Sequence, residues 1–252
     1  MVMINADHAH QVTGVPAKRV RITLLCFSGA GGSSPVFHDW IRRLPAWLDL
    51  KSVVLPGHPG RFREKPAEEL VGLACALAEE FESVLDKPFA LFGHSLGALL
   101  AFEVARIAQQ RGRVPTHLFV SACAAPQLPR RIRFLHNLPD RELQQQLVQY
   151  SRVPANIVNT PELMQLVLPV FRADIRLGET YGYTDGPPLH CPITAYAGSY
   201  DPSVTYQELT PWSLQSTGPF NAHWLPGDHQ YLNDHSQPVV ADVCQQLLSI
   251  AT

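Results

Sequence analysis

Apolar residues along this chain fall into two alternating rhythms. Short, nearly unbroken apolar runs lie near residues 20–27, 50–55, 88–93, 115–121, 192–198 and 219–225, most of them bounded by Gly, Pro or Ser. Runs of that length predict strands covered on both faces. Between them, near 36–47, 67–86, 96–111 and 237–249, apolar positions recur at helical spacing, as Leu99, Leu100, Phe102, Val104 and Ile107 do before Gly112. Such alternation predicts an α/β fold with a mostly parallel central sheet and helices on both faces. The interval from Pro126 to Pro188 breaks the rhythm, holding only helical patterns at Asp140–Tyr150, Pro161–Leu168 and Val170–Tyr181. It reads as an inserted helical lid. The expected organisation is therefore one domain, with a core of about 18–128 and 188–252, a lid of about 129–187, and a flexible leader over 1–17. Most lid apolar residues, among them Leu163, Met164, Leu166, Val167, Val170 and Phe171, are expected to pack on the core, and some to line a substrate pocket.

The third strand leads straight into chemistry. Leu91-Phe92-Gly93-His94-Ser95-Leu96-Gly97 carries a Gly-x-Ser-x-Gly pentapeptide at a strand-to-helix junction, the setting of a nucleophile elbow. Glycine on both sides lets strand and helix pass closely while the serine Oγ is pushed outward. The start of the following helix adds partial positive charge and free N–H groups beside Ser95, which favours an oxyanion there.

A serine needs a base and a group that orients it, here in the order Ser, Asp or Glu, His. Asp201 follows the predicted strand Pro192–Gly198, at the carboxyl edge where open α/β sheets bind ligands. His229 follows Phe220–Leu225 and the turn Pro226-Gly227-Asp228. With 11 histidines and 22 acidic residues available, position after a strand separates this pair from its rivals. His223 lies within its strand, His235 opens the last helix, His94 points sideways from the elbow, and Asp228 is too close in sequence to hold the far nitrogen of His229. Asp185 precedes its strand altogether. The oxyanion hole then requires one N–H from the residue after the nucleophile, Leu96, and one from a loop after an early strand. Ser28-Gly29-Ala30-Gly31-Gly32-Ser33 supplies that loop, with Ala30 the expected donor. The same loop lacks both the Gly-x-Gly-x-x-Gly spacing and a Gly-Lys-Ser/Thr ending, which argues against phosphate binding.

Composition narrows the setting. A net charge near −2 offers no basic patch for nucleic acid. Five scattered cysteines without a Cys-x-x-Cys pair read as reduced core thiols. Met1–Pro16 has acid and histidine where a signal peptide would be basic and then apolar, and no apolar run approaches membrane length. A cytoplasmic location without membrane attachment is expected.

Several motifs occurring together resemble the type II thioesterases, the free-standing editing enzymes of polyketide and nonribosomal peptide assembly lines. They are Phe27-Ser-Gly-Ala-Gly-Gly-Ser33, Leu55-Pro-Gly57, Gly93-His-Ser-Leu-Gly97, Arg172-Ala-Asp174, the Asp201 turn and His229-Gln-Tyr-Leu232, spanning about Arg21 to the final helix. The resemblance implies an α/β hydrolase that cleaves acyl or aminoacyl thioesters from the phosphopantetheine arm of acyl or peptidyl carrier proteins, as a monomer and without metal or diffusible cofactor. Thioester rather than oxygen ester is implied by the resemblance alone. Three departures stand out: Pro56-Gly57-His58-Pro59 replaces the usual Pro-Gly-Arg-Glu, with Arg61 and Glu64 downstream; Asp228 precedes His229 where Gly is common; and Ser151-Arg152-Val153-Pro154 replaces a Gly-Gly hinge. The alternatives are a small-molecule carboxylesterase or acyltransferase using the same triad, and a non-catalytic binding module of hydrolase fold.

Overall fold

The computed structural model describes residues 21–32, 35–129, 134–151, 153 and 155–251. The leader expected over 1–17, together with Ser33, Arg152 and Pro154, lies outside the described residues. Six strands, β1 (Ile22–Phe27), β2 (Leu48–Val53), β3 (Phe89–His94), β4 (Leu118–Ser121), β5 (Ile193–Gly198) and β6 (Phe220–Leu225), form one sheet in the order β2-β1-β3-β4-β5-β6. Every neighbouring pair is parallel. The helices are α1 (Pro35–Ile41), α2 (Leu70–Glu80), α3 (Glu82–Leu85), α4 (Leu96–Gln110), α5 (Asp140–Ser151), α6 (Ala155–Val158), α7 (Pro161–Thr180), α8 (Tyr206–Leu209) and α9 (Ser236–Ala251).

The unbroken apolar runs follow from burial on both faces. Successive strand side chains point to opposite sides, and Leu25, Phe27, Phe89, Leu91, Leu118 and Val120 pack into one core with α2 and α4. Their alternates, Leu24, Cys26, Ala90, Phe92 and Phe119, join a second core with Phe37 and Trp40 of α1 and Val240, Val243 and Leu247 of α9. A third apolar cluster, Leu143, Leu147, Met164, Leu168 and Phe171, joins α5 to α7 over the carboxyl edge of the sheet. Ala30 packs against it.

Several boundaries depart from the sequence pattern: the helix expected over 67–86 breaks at Phe81 into α2 and α3, and β4 starts at Leu118 instead of 115. The first predicted helix stops at Ile41 instead of 47, and β2 begins at Leu48; Pro45 cannot donate to a continuing helix and pushes Leu44 out of helical space. The two predicted lid helices on either side of Pro169 are a single helix, α7, that runs through it. A proline removes one hydrogen bond, but Leu168 and Phe171 flank it and are buried, so packing of that face holds the helix across the gap.

Candidate active site

Parallel register brings the carboxyl ends of β1, β3, β4, β5 and β6 to one edge. Gly93 pairs with Phe27, His94 with Ser121, and Ser121 with Tyr196, so whatever follows each strand converges there. Ser95 caps α4 with φ 56° and ψ −119°, a conformation that costs a non-glycine residue about 1–3 kcal/mol and persists only where its surroundings enforce it. Here Ser95 N–H donates to Ser121 O at 2.8 Å and Ser95 O accepts from Ala98 N–H at 2.9 Å. The flanking glycines are sterically required. A Cβ on Gly93 would lie 2.1 Å from Gly97 O, and one on Gly97 would lie 2.2 Å from Phe27 O.

The three sequence-predicted triad residues meet. His229 Nε2 lies 3.0 Å from Ser95 Oγ, and His229 Nδ1 lies 2.8 Å from Asp201 Oδ2. The two loops that carry acid and base are tied together, since Ser199 N–H donates to Leu225 O at 2.8 Å and Tyr200 N–H to Gly227 O at 2.9 Å. Burial pushes the Asp201 carboxyl up, but hydrogen bonds from His229 and Ser203, with the attraction of His229, outweigh it and hold the group below its ordinary value. Asp201 is thus an ionised acceptor suited to a proton on His229 Nδ1, with Nε2 turned toward the serine.

Ser203 is a fourth member that sequence reading missed. Its N–H and Oγ–H both donate to Asp201 Oδ1, at 2.8 and 2.6 Å, and its Oγ lies 3.0 Å from His229 Nδ1. The spacing Asp-x-Ser is a signature of a side chain bonding two residues ahead, and that signal was present at 201–203.

The rival residues are otherwise engaged. His94 is buried with its Nδ1 2.8 Å from Ser121 Oγ, which in turn lies 2.6 Å from Tyr231 Oη. Burial, reinforced by the neighbouring charge of His229, pushes His94 down to about 3, so it stays neutral beside His229, with ring centroids 5.3 Å apart. His223 stacks on Tyr196, Asp228 is exposed and accepts from Gln230 N–H, and His235 precedes α9. Arg61 and Glu64 form a two-bond pair with each other at 2.8 and 2.6 Å, and neither lines the cavity that holds the serine.

Ser95, His229 and Asp201 open onto a cavity of about 290 Å³. Ala30 and Leu96, the two expected oxyanion donors, line it beside the serine. Its walls are Ala122–Pro126 after β4, Phe171, Ile175 and Gly178 of α7, and Val204, with Gln146, Glu179 and Glu208 as polar members. Among the described residues, no cluster of three or more His, Cys, Asp or Glu is placed to hold a metal, and no helix is long and apolar enough to cross a membrane.

Comparison with known proteins places this geometry in a family. The model of the thioesterase domain matches residues 22–248. The chain belongs to the thioesterase family. Among its relatives, the gramicidin S biosynthesis protein GrsT of Aneurinibacillus migulanus is 37% identical, over 90% of this chain and 89% of that protein. Thioesterase PikA5 of Streptomyces venezuelae is 35% identical, over 92% of this chain and 83% of that one. In three dimensions it is similar to the type II thioesterase BorB from the borrelidin biosynthetic cluster, with a TM-score of 0.84 and 37% identity over 90% of this chain and 93% of that chain. The six-stranded parallel sheet with flanking helices is thus the α/β-hydrolase fold of these thioesterases, and this thioesterase is an enzyme that hydrolyses thioesters.

Proposed function

We propose that this thioesterase removes acyl or aminoacyl groups from the phosphopantetheine arm of carrier proteins in polyketide or nonribosomal peptide biosynthesis, with Ser95 as nucleophile, His229 as general base and Asp201 as its orienting acid. The observation that carries the catalytic assignment is the continuous path from Ser95 Oγ through His229 to Asp201, at 3.0 and 2.8 Å, on the wall of the cavity. The carrier-bound substrate class is supported by relatives whose names place them in gramicidin S and borrelidin biosynthesis.

In the first step His229 Nε2 takes the Ser95 proton as Oγ attacks the thioester carbon. The N–H groups of Ala30 and Leu96 hold the developing oxyanion, each such donor being worth about 3–4 kcal/mol at the transition state. The tetrahedral intermediate collapses, breaking the C–S bond, and the departing sulfur receives the proton from His229 Nε2. A water then gives a proton to His229 Nε2 and attacks the acyl-serine carbon, and the intermediate collapses with cleavage of the C–Oγ bond, Ser95 Oγ taking the proton back from His229 as the free acid leaves. Neutral His94 adds no competing charge behind the imidazolium that forms at His229.

Residues 129–187 act in this reading as a lid on the acyl cavity, because Phe171, Ile175 and Gly178 of α7 form its wall. A monomeric cytoplasmic enzyme meeting carrier proteins in solution completes the proposal. Its test is loss of the acyl group from a loaded carrier protein with the wild-type chain and retention of that group with Ser95→Ala.

A further inference from the structure

Outside the triad, one buried acid of the cavity wall touches the glycine loop. Asp174, on α7, is 2% exposed, and His58, in the loop after β2, is 5% exposed. Gly31 N–H donates to Asp174 Oδ2 at 2.8 Å, and His58 Nε2 lies 3.0 Å from the same oxygen. The His58 nitrogen is close to the carboxylate without being aligned for a hydrogen bond. Phe171, one turn before Asp174 on the same helix, also abuts this glycine. A Cβ on Gly31 would sit 2.8 Å from the Phe171 ring, and the residue holds φ +64°.

Gly31 directly follows Ala30. The planar peptide that carries the Gly31 N–H meets, at the Ala30 Cα, the planar peptide that carries the Ala30 N–H. Anchoring the first plane therefore limits where the second can point. The loop's own bonds, Gly32 N–H to Gly29 O at 2.8 Å and Ser28 Oγ–H to Gly32 O at 3.2 Å, close a turn within the loop without tying it to the rest of the protein. Asp174 provides that tie.

A carboxylate is an unusual choice for this place. Burying it is costly without a partner, and a negative charge beside an oxyanion loop opposes the charge that develops there. Its advantage is a shorter and stronger bond to the N–H than a neutral acceptor makes, provided a second polar group supports the buried carboxylate. His58 Nε2, 3.0 Å from the same oxygen, is that group, at a position where the resembling family usually carries arginine.

We propose that Asp174 and His58 are positioning residues that brace the oxyanion loop: Asp174 fixes Gly31 N–H, and thereby the aim of Ala30 N–H, while His58 is the second polar contact of the same carboxylate oxygen. The inference rests on the reading of Ala30 as an oxyanion donor. It makes the seating of α7, which forms the acyl-cavity wall, and the assembly of the oxyanion hole a single structural event.

The test reads phosphonylation of Ser95 by a fluorophosphonate, whose phosphoryl oxygen occupies the oxyanion position, alongside thioester turnover. Asp174→Ala should lower the maximal labelling rate and kcat about a hundredfold, the size of effect a displacement near 1 Å produces, with the probe's half-saturation concentration and KM unchanged. Asp174→Asn, which keeps the shape and an acceptor, should recover most of that loss. His58→Gln should label slowly because the buried carboxylate loses its second polar contact, and His58→Gln with Asp174→Asn should label faster than His58→Gln alone. The proposal is overturned if Asp174→Ala labels within twofold of wild type, if Asp174→Asn is no better than Asp174→Ala, or if the double variant is no faster than His58→Gln. Should Asp174→Ala fail to give a cooperative melt, the two His58 variants decide. Wild-type protein that labels at Ser95 yet leaves carrier-bound thioesters intact would remove the carrier-thioester reading and leave the brace supported or refuted by the labelling series. Wild-type protein that does not label would overturn both.

Discussion

Replacing Asp201 with asparagine should do more than delete a charge, because Ser203 determines which way the new amide faces. Two donors, Ser203 N–H and Oγ–H, point at the Oδ1 position from 2.8 and 2.6 Å. The amide oxygen of Asp201→Asn will be held there, leaving its NH2 at the Oδ2 position, 2.8 Å from His229 Nδ1. An N–H donor at that point forces the proton of His229 onto Nε2, where it faces Ser95 Oγ and cannot accept the serine proton. Restoring the productive tautomer requires flipping the amide, which breaks two hydrogen bonds of about 1 kcal/mol each and leaves the buried amide NH2 facing the Ser203 donors without an acceptor, at about 1–3 kcal/mol more. The sum, about 4 kcal/mol, corresponds to about a thousandfold loss of kcat, before any lost stabilisation of the imidazolium. The assay is thiol release from an acyl-N-acetylcysteamine thioester, read with a disulfide dye at neutral pH. Ser203→Ala in the asparagine background removes one of the two anchors and should regain about fivefold. The same change in the wild-type background takes a donor from Asp201 and should lower activity. That reversal of sign is specific to the tautomer mechanism. A loss below tenfold for Asp201→Asn, or a further loss on adding Ser203→Ala, would refute it.

Three further outcomes are expected. Burial pushes His117 down to about 4 from an ordinary value of 6.5, and His94 down to about 3. Both are neutral in either state above pH 6.5, and below it the unfolded chain takes up protons that the folded one refuses, so stability falls as pH drops toward those values by about 1.4 kcal/mol per pH unit per histidine. His117→Asn should remove one proton's share of that slope in urea titrations across the window, and an unchanged slope would contradict it. Asp201 does not counter this trend, because its stabilising share is lost only as pH falls through its lowered carboxyl value. Gly97→Ala places a Cβ 2.2 Å from Phe27 O and 2.6 Å from Ser28 O, so it should be insoluble or melt far below wild type. Gly182→Ala meets nothing within 4 Å and should be neutral or stabilising by up to about 1 kcal/mol in the same melt.

Much of this arrangement was legible because the chemistry is local. The Gly-x-Ser-x-Gly turn needs only the strand before it and the helix after it, and Asp201 and His229 each announce themselves by standing just past a strand. Parallel strands then bring them to one edge without further specification. What the sequence left dark depends on contacts across the fold. Asp174 and Gly31 are 143 positions apart in the chain, and nothing in either segment indicates their meeting. The same holds for the relay of His94, Ser121 and Tyr231, which joins β3, β4 and the turn before α9. Pro169 shows the opposite failure, a strong local breaker overruled by packing on the buried side of α7. Ser203 was missed for a different reason, since its local signal was there beside an acid that drew all the attention.

Carrier-directed hydrolysis through Ser95 can be read from the carrier itself, by incubating carrier proteins loaded with short-chain, long-chain and aminoacyl groups with the wild-type chain and with Ser95→Ala, and weighing the intact carriers. The acyl mass should disappear with wild type alone, leaving the bare phosphopantetheinyl carrier. Equal, background loss with both proteins would contradict it.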